Sequence, residues 1–188
     1  MKQTAKLNAA LQVGKTVYLR SPVSEDRDEF INLNRASRRF YRGLAMPVLT
    51  EQRFAGYIER CRQADFAGFM VCHIVDDAIV GAINLSQIFG GGFQSAYLGY
   101  QVGAPFAGQG YMTEAIRLTL KQAFRQMKLH RLEANIQPDN IASIALVRGA
   151  GFTREGYSRR YLKIGGRWRD HERWAILAED WRARNKRR

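Results

Sequence analysis

A short loop with two glycines is the first residue pattern in this chain that could do chemistry. In GAPFAGQGYMTEA, residues 103–115, Gly108 and Gly110 come where a strand-like run ends and a helical pattern begins. The first N–H groups of a helix lack intrahelical partners and lie at the positive end of the helix dipole. Glycines also let an anion approach the backbone closely. The spacing leaves two interpretations open, a plain strand-to-helix turn or a pyrophosphate site.

Several better-known sites are excluded by the residues themselves. The loop lacks the Gly-Lys-Ser/Thr ending of a Walker A motif, GxGxxG is absent, and the preceding strand follows a meander rather than opening a βαβ unit. The two cysteines, Cys61 and Cys72, form no CxxC motif and no disulfide framework, and His73, His130 and His171 are scattered. We therefore predict a reduced, metal-free protein.

Positive charge is the main departure from ordinary globular composition. Thirty Lys and Arg residues against seventeen Asp and Glu residues give a formal net charge of +13. Much of the excess lies in RASRRFYR (35–42) and in the final stretch from residue 167 onward. Such a field attracts polyanions, for which a nucleic acid, an acidic protein segment or a phosphorylated cofactor are candidates. Solvated surface is the alternative for both runs.

The elements that must position the glycine loop follow from periodicity and turn signals. We predict a strand at 16–20, a helix capped by Ser24, a helix at 51–65 capped by Thr50, and a hairpin turning at Asp76-Asp77. A glycine-rich loop at 88–94, a strand at 95–103 and a helix to about Lys128 follow. The last elements are a strand at 132–137, a short helix ending near Gly149 and Gly151, and a hairpin around Gly165-Gly166. This order indicates a mixed α/β domain whose sheet is partly antiparallel.

Length and hydropathy favour one domain in the cytoplasm. The 188 residues suffice for a single domain but not comfortably for two. No apolar run approaches the roughly 18 residues of a membrane span, and MKQTAKLNAALQVGK has no continuous apolar stretch behind its lysines. We therefore expect neither a membrane segment nor a secretory signal.

Taken together, the motifs resemble the GNAT-type N-acetyltransferases. The resemblance rests on a PxxxGxG-like loop before a long helix and on NIASIALVRGAGFTREGY (140–157), an N-xx-S-xxx-V-xxx-GF element. More narrowly, LGYQVGAPFAGQGYMTEA, RLEANIQPDNIAS, GFTREGY and WRDH are similar to the RimJ/RimL branch, which acetylates the N-terminal amine of ribosomal proteins. The resemblance runs from about residue 16 to residue 181. It implies one N-acetyltransferase domain over 1–188, with a core at about 16–181 and a basic tail at 182–188.

The resemblance also implies a fold, a cofactor and a set of binding residues. The expected fold is α/β (α+β): a mixed, mostly antiparallel sheet flanked by helices, with strands splayed around the acetyl-CoA site. The acetyl donor is acetyl-CoA and no metal is required. By position, the cofactor would contact Tyr100, Gln101, Val102, Ala107, Gly108, Gln109, Gly110, Tyr111, Met112, Asn140 and Ser143.

Three positions depart from the family pattern. Ala107 stands where the family has Gln or Arg, and Met112 where it has Gly or Ala. Because the loop binds through backbone amides, Ala107 need not abolish binding, although a side-chain contact is lost. Val147 stands where many relatives have a tyrosine that protonates the leaving thiolate. The proton must then come from another residue or from water.

The resemblance gives catalytic roles to two side chains. If Asp139 or Asn140 caps the helix, Ser143 lies in the first turn, where the dipole favours a thiolate and the hydroxyl can donate a hydrogen bond. Ser143 could instead bond only to the backbone, and Asn140 could contact the pantetheine arm or cap the helix. Some relatives have a water-binding Glu on the strand that carries Glu133, which makes Glu133 the candidate base. The alternative is a solvent-facing charge.

Amine chemistry then separates the acceptor classes. Near pH 7 an α-amine is about a tenth neutral, whereas a lysine is well under a thousandth neutral. A site without a strong base therefore favours N-terminal α-amines of a ribosomal or other protein. The alternatives are acetylation of a small amine (an amino acid, a polyamine or an aminoglycoside) or a non-catalytic ribosome- or RNA-binding protein that uses its basic surface.

Overall fold

The computed structural model describes residues 8–41, 43–44 and 47–186, over which eight strands form one sheet flanked by five α-helices. The strands are β1 (Gln12–Val13), β2 (Val17–Arg20), β3 (Phe66–His73), β4 (Ile79–Phe89), β5 (Ser95–Val102), β6 (Arg131–Ile136), β7 (Thr153–Ile164) and β8 (Arg167–Leu177). The helices are α1 (Arg27–Ala36), α2 (Glu51–Arg60), α3 (Tyr111–Lys121), α4 (Ile141–Ala150) and α5 (Ala178–Lys186).

The sheet is antiparallel except at one place, and there it splits. Its order is β1-β2-β3-β4-β5-β6-β8-β7, and β5 and β6 are parallel neighbours. They pair only from Ser95 opposite Arg131 to Tyr97 opposite Glu133. Beyond that point β5 stays paired with β4 and β6 with β8, so the two strands diverge. The predicted mixed, mostly antiparallel sheet with splayed strands is confirmed.

Each face of the sheet packs against helices. On one face, strand residues such as Leu132 and Ile176 contact Ile116 and Leu120 of α3 in the larger core. On the other face, α1 and α2 complete a smaller core, represented by Phe30. The alternation of side chains along each strand supplies both faces. The sheet is therefore a middle layer between two groups of helices.

Several local predictions are confirmed. The Thr50 hydroxyl accepts a hydrogen bond from the Arg53 N–H at 3.3 Å and so caps α2. The β3–β4 hairpin turns at Asp77, which has a positive φ of 64°. Gly151 ends α4 with a φ of 104°, a left-handed conformation that glycine adopts without strain.

The start of α1 differs from the prediction. Ser24 does not cap the helix; it begins a 3-10 turn at Ser24–Asp26, and α1 starts at Arg27. The reason is the Asp26 carboxylate, which lies 2.6 Å from the Arg20 guanidinium and accepts the Val23 N–H at 2.9 Å. These contacts hold a tight turn ahead of the helix.

Two other helix ends also differ. α2 ends at Arg60 rather than near residue 65. The regular part of α3 ends at Lys121, and the chain continues as a π-helical turn over Gln122–Gln126, closed by the Met127 N–H donating to the Gln122 carbonyl at 3.0 Å. The expected hydrophobic face still continues, because Phe124 in this turn is buried.

The loop and tail boundaries shift by a few residues. The first two residues of the predicted glycine-rich loop at 88–94 belong to β4. Of the predicted basic tail, 182–186 form the end of α5. Arg42 in the first basic run, and residues 187–188, lie outside the described residues.

Candidate active site

The glycine loop is shaped by two residues in the left-handed region. Gly108 has φ 76° and Gly110 has φ 83°, and Gly110 is the N-cap residue directly before α3. A Cβ atom built on either glycine would meet no protein atom within 4 Å. The loop therefore turns sharply while its backbone faces open space, which is the arrangement that a closely approaching anion needs.

The main-chain donors around the start of α3 lack partners among the described residues. Glu114 donates its N–H to the Gly110 carbonyl at 3.1 Å. The residues before it donate no main-chain hydrogen bond to any described residue: Gly108, Gln109, Gly110, Tyr111, Met112 and Thr113. Six consecutive N–H groups at the positive end of α3 are thus available to a diphosphate. The residues present fit the cofactor that the resemblance implies.

A carboxylate fixes the orientation of this helix start. Glu114, in the first turn of α3, accepts hydrogen bonds from the main-chain N–H groups of Lys15, Thr16 and Val17 and from the Thr16 hydroxyl. Burial opposes ionisation, but these hydrogen bonds outweigh it and lower the pKa of Glu114 below its usual range. The donor-rich loop is therefore tied to the chain entering β2.

A cavity of about 530 Å³ lies beside the loop and extends to α4. Nine of the predicted cofactor-binding residues line it: Tyr100, Gln101, Val102, Ala107, Gly108, Gly110, Met112, Asn140 and Ser143. A volume of this size is ordinary for a small-molecule site. The structure thus brings together the β5 end, the glycine loop and the first turn of α4.

Two predicted contact residues turn their side chains elsewhere. The Gln109 amide donates to the Pro105 carbonyl at 2.7 Å, which folds this side chain back onto the loop. The Tyr111 ring packs edge-on against Phe106 and His73, with centroid distances of 6.1 and 5.3 Å. Gln109 and Tyr111 are therefore left with their main-chain N–H groups as the means of contacting a cofactor.

The Ser143 hydroxyl forms a close pair with a phenol. The Asn140 side chain accepts the Ser143 N–H at 3.2 Å, so Asn140 caps α4 and Ser143 lies in its first turn. The Ser143 Oγ is 2.5 Å from the Tyr100 hydroxyl, and both residues line the cavity. Burial raises the pKa of Tyr100 to about 12, against a smaller lowering effect of the Ser143 bond. The phenol therefore stays protonated at neutral pH.

Main-chain groups of β5 face the split in the sheet. Gly103 donates its N–H to Val80 on β4 at 2.8 Å. Because N–H directions alternate along a strand, Tyr100 and Val102 direct their N–H groups away from β4, toward the gap. The Tyr41 hydroxyl donates to the Val102 carbonyl at 2.7 Å, so this gap is bounded by the segment after α1.

Glu133 lies apart from the cavity lining. Its carboxylate is 2.8 Å from the Arg131 guanidinium, which also contacts Glu155. It stands directly opposite Tyr97, at the last paired position before β5 and β6 diverge. The geometry places Glu133 at the root of the split, and its assignment as the base stays a prediction.

The cavity also contains residues that sequence reasoning did not assign to the cofactor site. They are Phe40, Tyr41, Leu44, Phe106, Thr113, Ala142, Ala145 and Leu146. The spacing of Ala142, Ala145 and Leu146 around Ser143 marks one face of α4 and was a usable signal. Val147 is fully buried in the core and is not among the residues that line the cavity. None of the described residues that line the cavity is an Asp or Glu.

Two general features bear on the chemistry. Within the described ranges, no three His, Cys, Asp or Glu side chains cluster in a way that could hold a metal ion. No helix in that part of the chain is both long and apolar enough to cross a membrane.

The sequence of this chain is similar to those of known acetyltransferases. The model of the acetyltransferase (GNAT) domain matches residues 16–153. A probable N-acetyltransferase of Bacillus subtilis, YjcK, is 35% identical over 175 residues, covering 89% of this chain and 97% of the relative. The ribosomal protein uS5-alanine N-acetyltransferase of Escherichia coli is 40% identical over 103 residues, covering 55% of this chain and 53% of the relative.

Structural comparison agrees. RimJ of Mycobacterium smegmatis, solved with CoA-disulfide, superposes with a TM-score of 0.80 at 25% identity, covering 90% of this chain and 89% of that one. A spermidine N-acetyltransferase of Vibrio cholerae, with CoA and spermine, has a TM-score of 0.77 at 20% identity, covering 89% and 99%, a likeness of fold alone. This chain belongs to the GNAT family of acetyltransferases, which use acetyl-CoA as the acetyl donor.

Proposed function

We propose that this GNAT acetyltransferase acetylates the N-terminal α-amine of a ribosomal or other protein by direct transfer from acetyl-CoA. The observation that carries the proposal is the run of N–H groups from Gly108 to Thr113 without a partner among the described residues, which opens on the same cavity as the Ser143–Tyr100 pair. In this proposal the N–H groups bind the diphosphate of acetyl-CoA, and the Ser143–Tyr100 pair stabilises the leaving thiolate. No covalent enzyme intermediate is needed.

Each group in the cavity has a proposed role. The glycine-loop N–H groups hold the diphosphate, and the Tyr100 or Val102 N–H stabilises the developing oxyanion in the sheet gap. The Ser143 hydroxyl donates its proton toward the leaving sulfur at the positive end of α4. Either hydroxyl of this pair could be the donor; in the proposal Tyr100 donates to the Ser143 oxygen, which leaves the serine proton to point into the cavity. Acetyl-CoA supplies the activated acetyl group.

The charge pattern favours an α-amine over a polyamine. A polyamine carries several ammonium groups and needs carboxylates, but no Asp or Glu is present among the described cavity residues. The net charge of +13 also repels a polycation. An α-amine is already about a tenth neutral near pH 7 and needs little help from a base. The similarity to the ribosomal protein uS5-alanine N-acetyltransferase of Escherichia coli supports the same acceptor class.

Removal of the amine proton is assigned to Glu133 acting through water. Its position opposite Tyr97, where β5 and β6 begin to diverge, supports this role. The single-domain division and the cytoplasmic location stay predictions from the sequence.

The test is acceptor profiling by mass spectrometry. The chain is incubated with acetyl-CoA and three acceptors: a peptide with a free N-terminal alanine, the same peptide with a blocked N-terminus and an internal lysine, and spermidine. We expect acetylation of the first alone. Transfer to spermidine or lysine, with none to the α-amine, would sink the proposed acceptor class.

Cofactor binding is measured separately by thermal unfolding. Acetyl-CoA at 100 times its Kd stabilises the fold by about 2.7 kcal/mol if it binds only the native state. An unchanged unfolding midpoint would favour the other candidate, a ribosome- or RNA-binding protein without catalysis. The two measurements distinguish a wrong acceptor from a wrong activity.

A further inference from the structure

The β7–β8 hairpin extends beyond the rest of the sheet. Pairing between β6 and β8 ends at Ile136 opposite Glu172, whereas β7 and β8 remain paired as far as Ile164 opposite Arg167. Residues 158–171, here called the hairpin arm, therefore pair only with each other. Five residues of β8 lie beyond Glu172, and at about 3.3 Å per residue the arm is about 17 Å long.

The hairpin arm is cationic. It contains Arg159, Arg160, Lys163, Arg167 and Arg169, against a single acidic residue, Asp170. None of these five cations forms an ion pair with another residue in the described part of the chain. The first four of these side chains are exposed, so their charge is directed to solvent or to a ligand, whereas Arg169 is partly buried.

Asp170 has a structural task in the arm. Its carboxylate accepts the Arg160 N–H and the Tyr157 hydroxyl, each at 2.7 Å. These bonds hold the irregular segment between Ser158 and Leu162, where three residues of β7 oppose one of β8. The bulge displays consecutive arginines at the side of the arm.

A large aromatic ring lies among these charges. The Trp168 side chain is 60% exposed, although tryptophan is usually well buried. It stands directly across the hairpin from Lys163. An exposed indole next to cations matches the two parts of single-strand nucleic-acid sites, a stacking platform and a charged track.

We infer that the hairpin arm binds single-stranded RNA, with a base stacked on Trp168 and phosphates at Lys163 and Arg159. An acidic peptide would use the cations but leave the indole without a flat partner. A duplex offers stacked bases that the indole cannot reach, whereas loops and ends of RNA present unstacked ones. This binding does not depend on the acceptor of the acetyl group.

The test is anisotropy titration of a labelled oligouridine about 12 nucleotides long, with the full chain at several salt concentrations. Neutralising two cations, Arg159→Gln with Lys163→Gln, should lower affinity about tenfold or more at low salt. It should also reduce the slope of log K against log salt by about 1.4. Trp168→Ala should lower affinity about tenfold with the slope unchanged.

A matched control changes the same charge elsewhere. Arg53→Gln with Arg148→Gln alters two exposed arginines on α2 and α4, and it should leave affinity within twofold. Equal losses in the control and arm variants would mean that net charge alone attracts RNA, and the arm would not be the site. Polyglutamate competing as well as RNA at equal charge would assign the arm to acidic protein. Absence of RNA binding would also overturn the inference. Unfolding midpoints of all variants verify folding.

Discussion

Removing one oxygen atom from Tyr100 separates its proposed role from that of Ser143. Tyr100→Phe keeps the ring that packs against the larger core but deletes the hydroxyl 2.5 Å from the Ser143 Oγ. If the phenol only orients the serine proton, its loss weakens one hydrogen bond, which is worth about 1 kcal/mol. We therefore expect kcat to fall about fivefold.

Ser143→Ala removes the direct donor and should act more strongly. Loss of one preorganised donor to developing charge lowers kcat by about 100- to 1000-fold. We expect about 100-fold here, because a thiolate is a good leaving group and needs less stabilisation. The KM for acetyl-CoA should change less than twofold in both variants, since the glycine-loop donors are untouched. Initial rates are measured with saturating peptide. Tyr157→Phe, whose hydroxyl contacts Asp170 far along the chain, is the matched control and should keep full activity.

The double variant decides between the two mechanisms. When Tyr100 acts only through Ser143, Tyr100→Phe with Ser143→Ala loses no more than Ser143→Ala alone, about 100-fold. A loss equal to the product of the single effects, about 500-fold, would refute the reasoning, because each hydroxyl would then act independently. Thermal unfolding of each variant excludes a loss of folded protein.

Three further substitutions test the rest of the site. Gly110→Ala should raise the KM for acetyl-CoA at least tenfold, because the added Cβ enters the open side of the loop, where the diphosphate would bind. Gly91→Ala is the matched control. Gly91 has a φ of 60° and equally open surroundings, so its substitution causes a similar backbone strain and should leave that KM unchanged. Glu114→Gln should lower the free energy of unfolding by about 1 kcal/mol in urea titrations at pH 7. That deficit should shrink as the pH falls below the ordinary pKa of a glutamate and vanish below the lowered pKa of folded Glu114, because a lowered pKa confers stability only while the carboxylate is ionised. A deficit that stays constant with pH would contradict this. Glu133→Gln should lower kcat at pH 7 about 100-fold. The difference in kcat from the unsubstituted chain should shrink as rising pH deprotonates the acceptor amine. A loss of stability with kcat unchanged would instead mean that Glu133 serves only its contact with Arg131.

Local signals predicted the elements better than their ends. The cap at Thr50 and the turn at Asp77 were predictable because both depend on nearby residues. Ser24 was assigned wrongly as a cap because Asp26 is held by Arg20, a contact that becomes visible only when β2 and the turn are placed together. A cap decided by a distant partner cannot be identified from its own segment.

The candidate site shows the same division. The glycine loop was recognisable because Gly108 and Gly110 satisfy a backbone requirement within a few residues. The bond between Tyr100 and Ser143 was not, because β5 and α4 are 43 positions apart and meet only after the sheet splits. By contrast, the contact of Glu133 with Arg131 follows from a local rule, because residues two apart on a strand share a face.

The sequence by itself determined the family, the order of elements and the anion-binding character of one helix start. These follow from short-range patterns, since hydrophobic periodicity, glycine conformations and helix ends are properties of neighbouring residues. Tertiary structure alone decided which hydroxyl is next to Ser143, where the sheet opens, and which cations stand free on the hairpin arm. Those outcomes depend on distances between remote segments, which packing sets and no local pattern encodes.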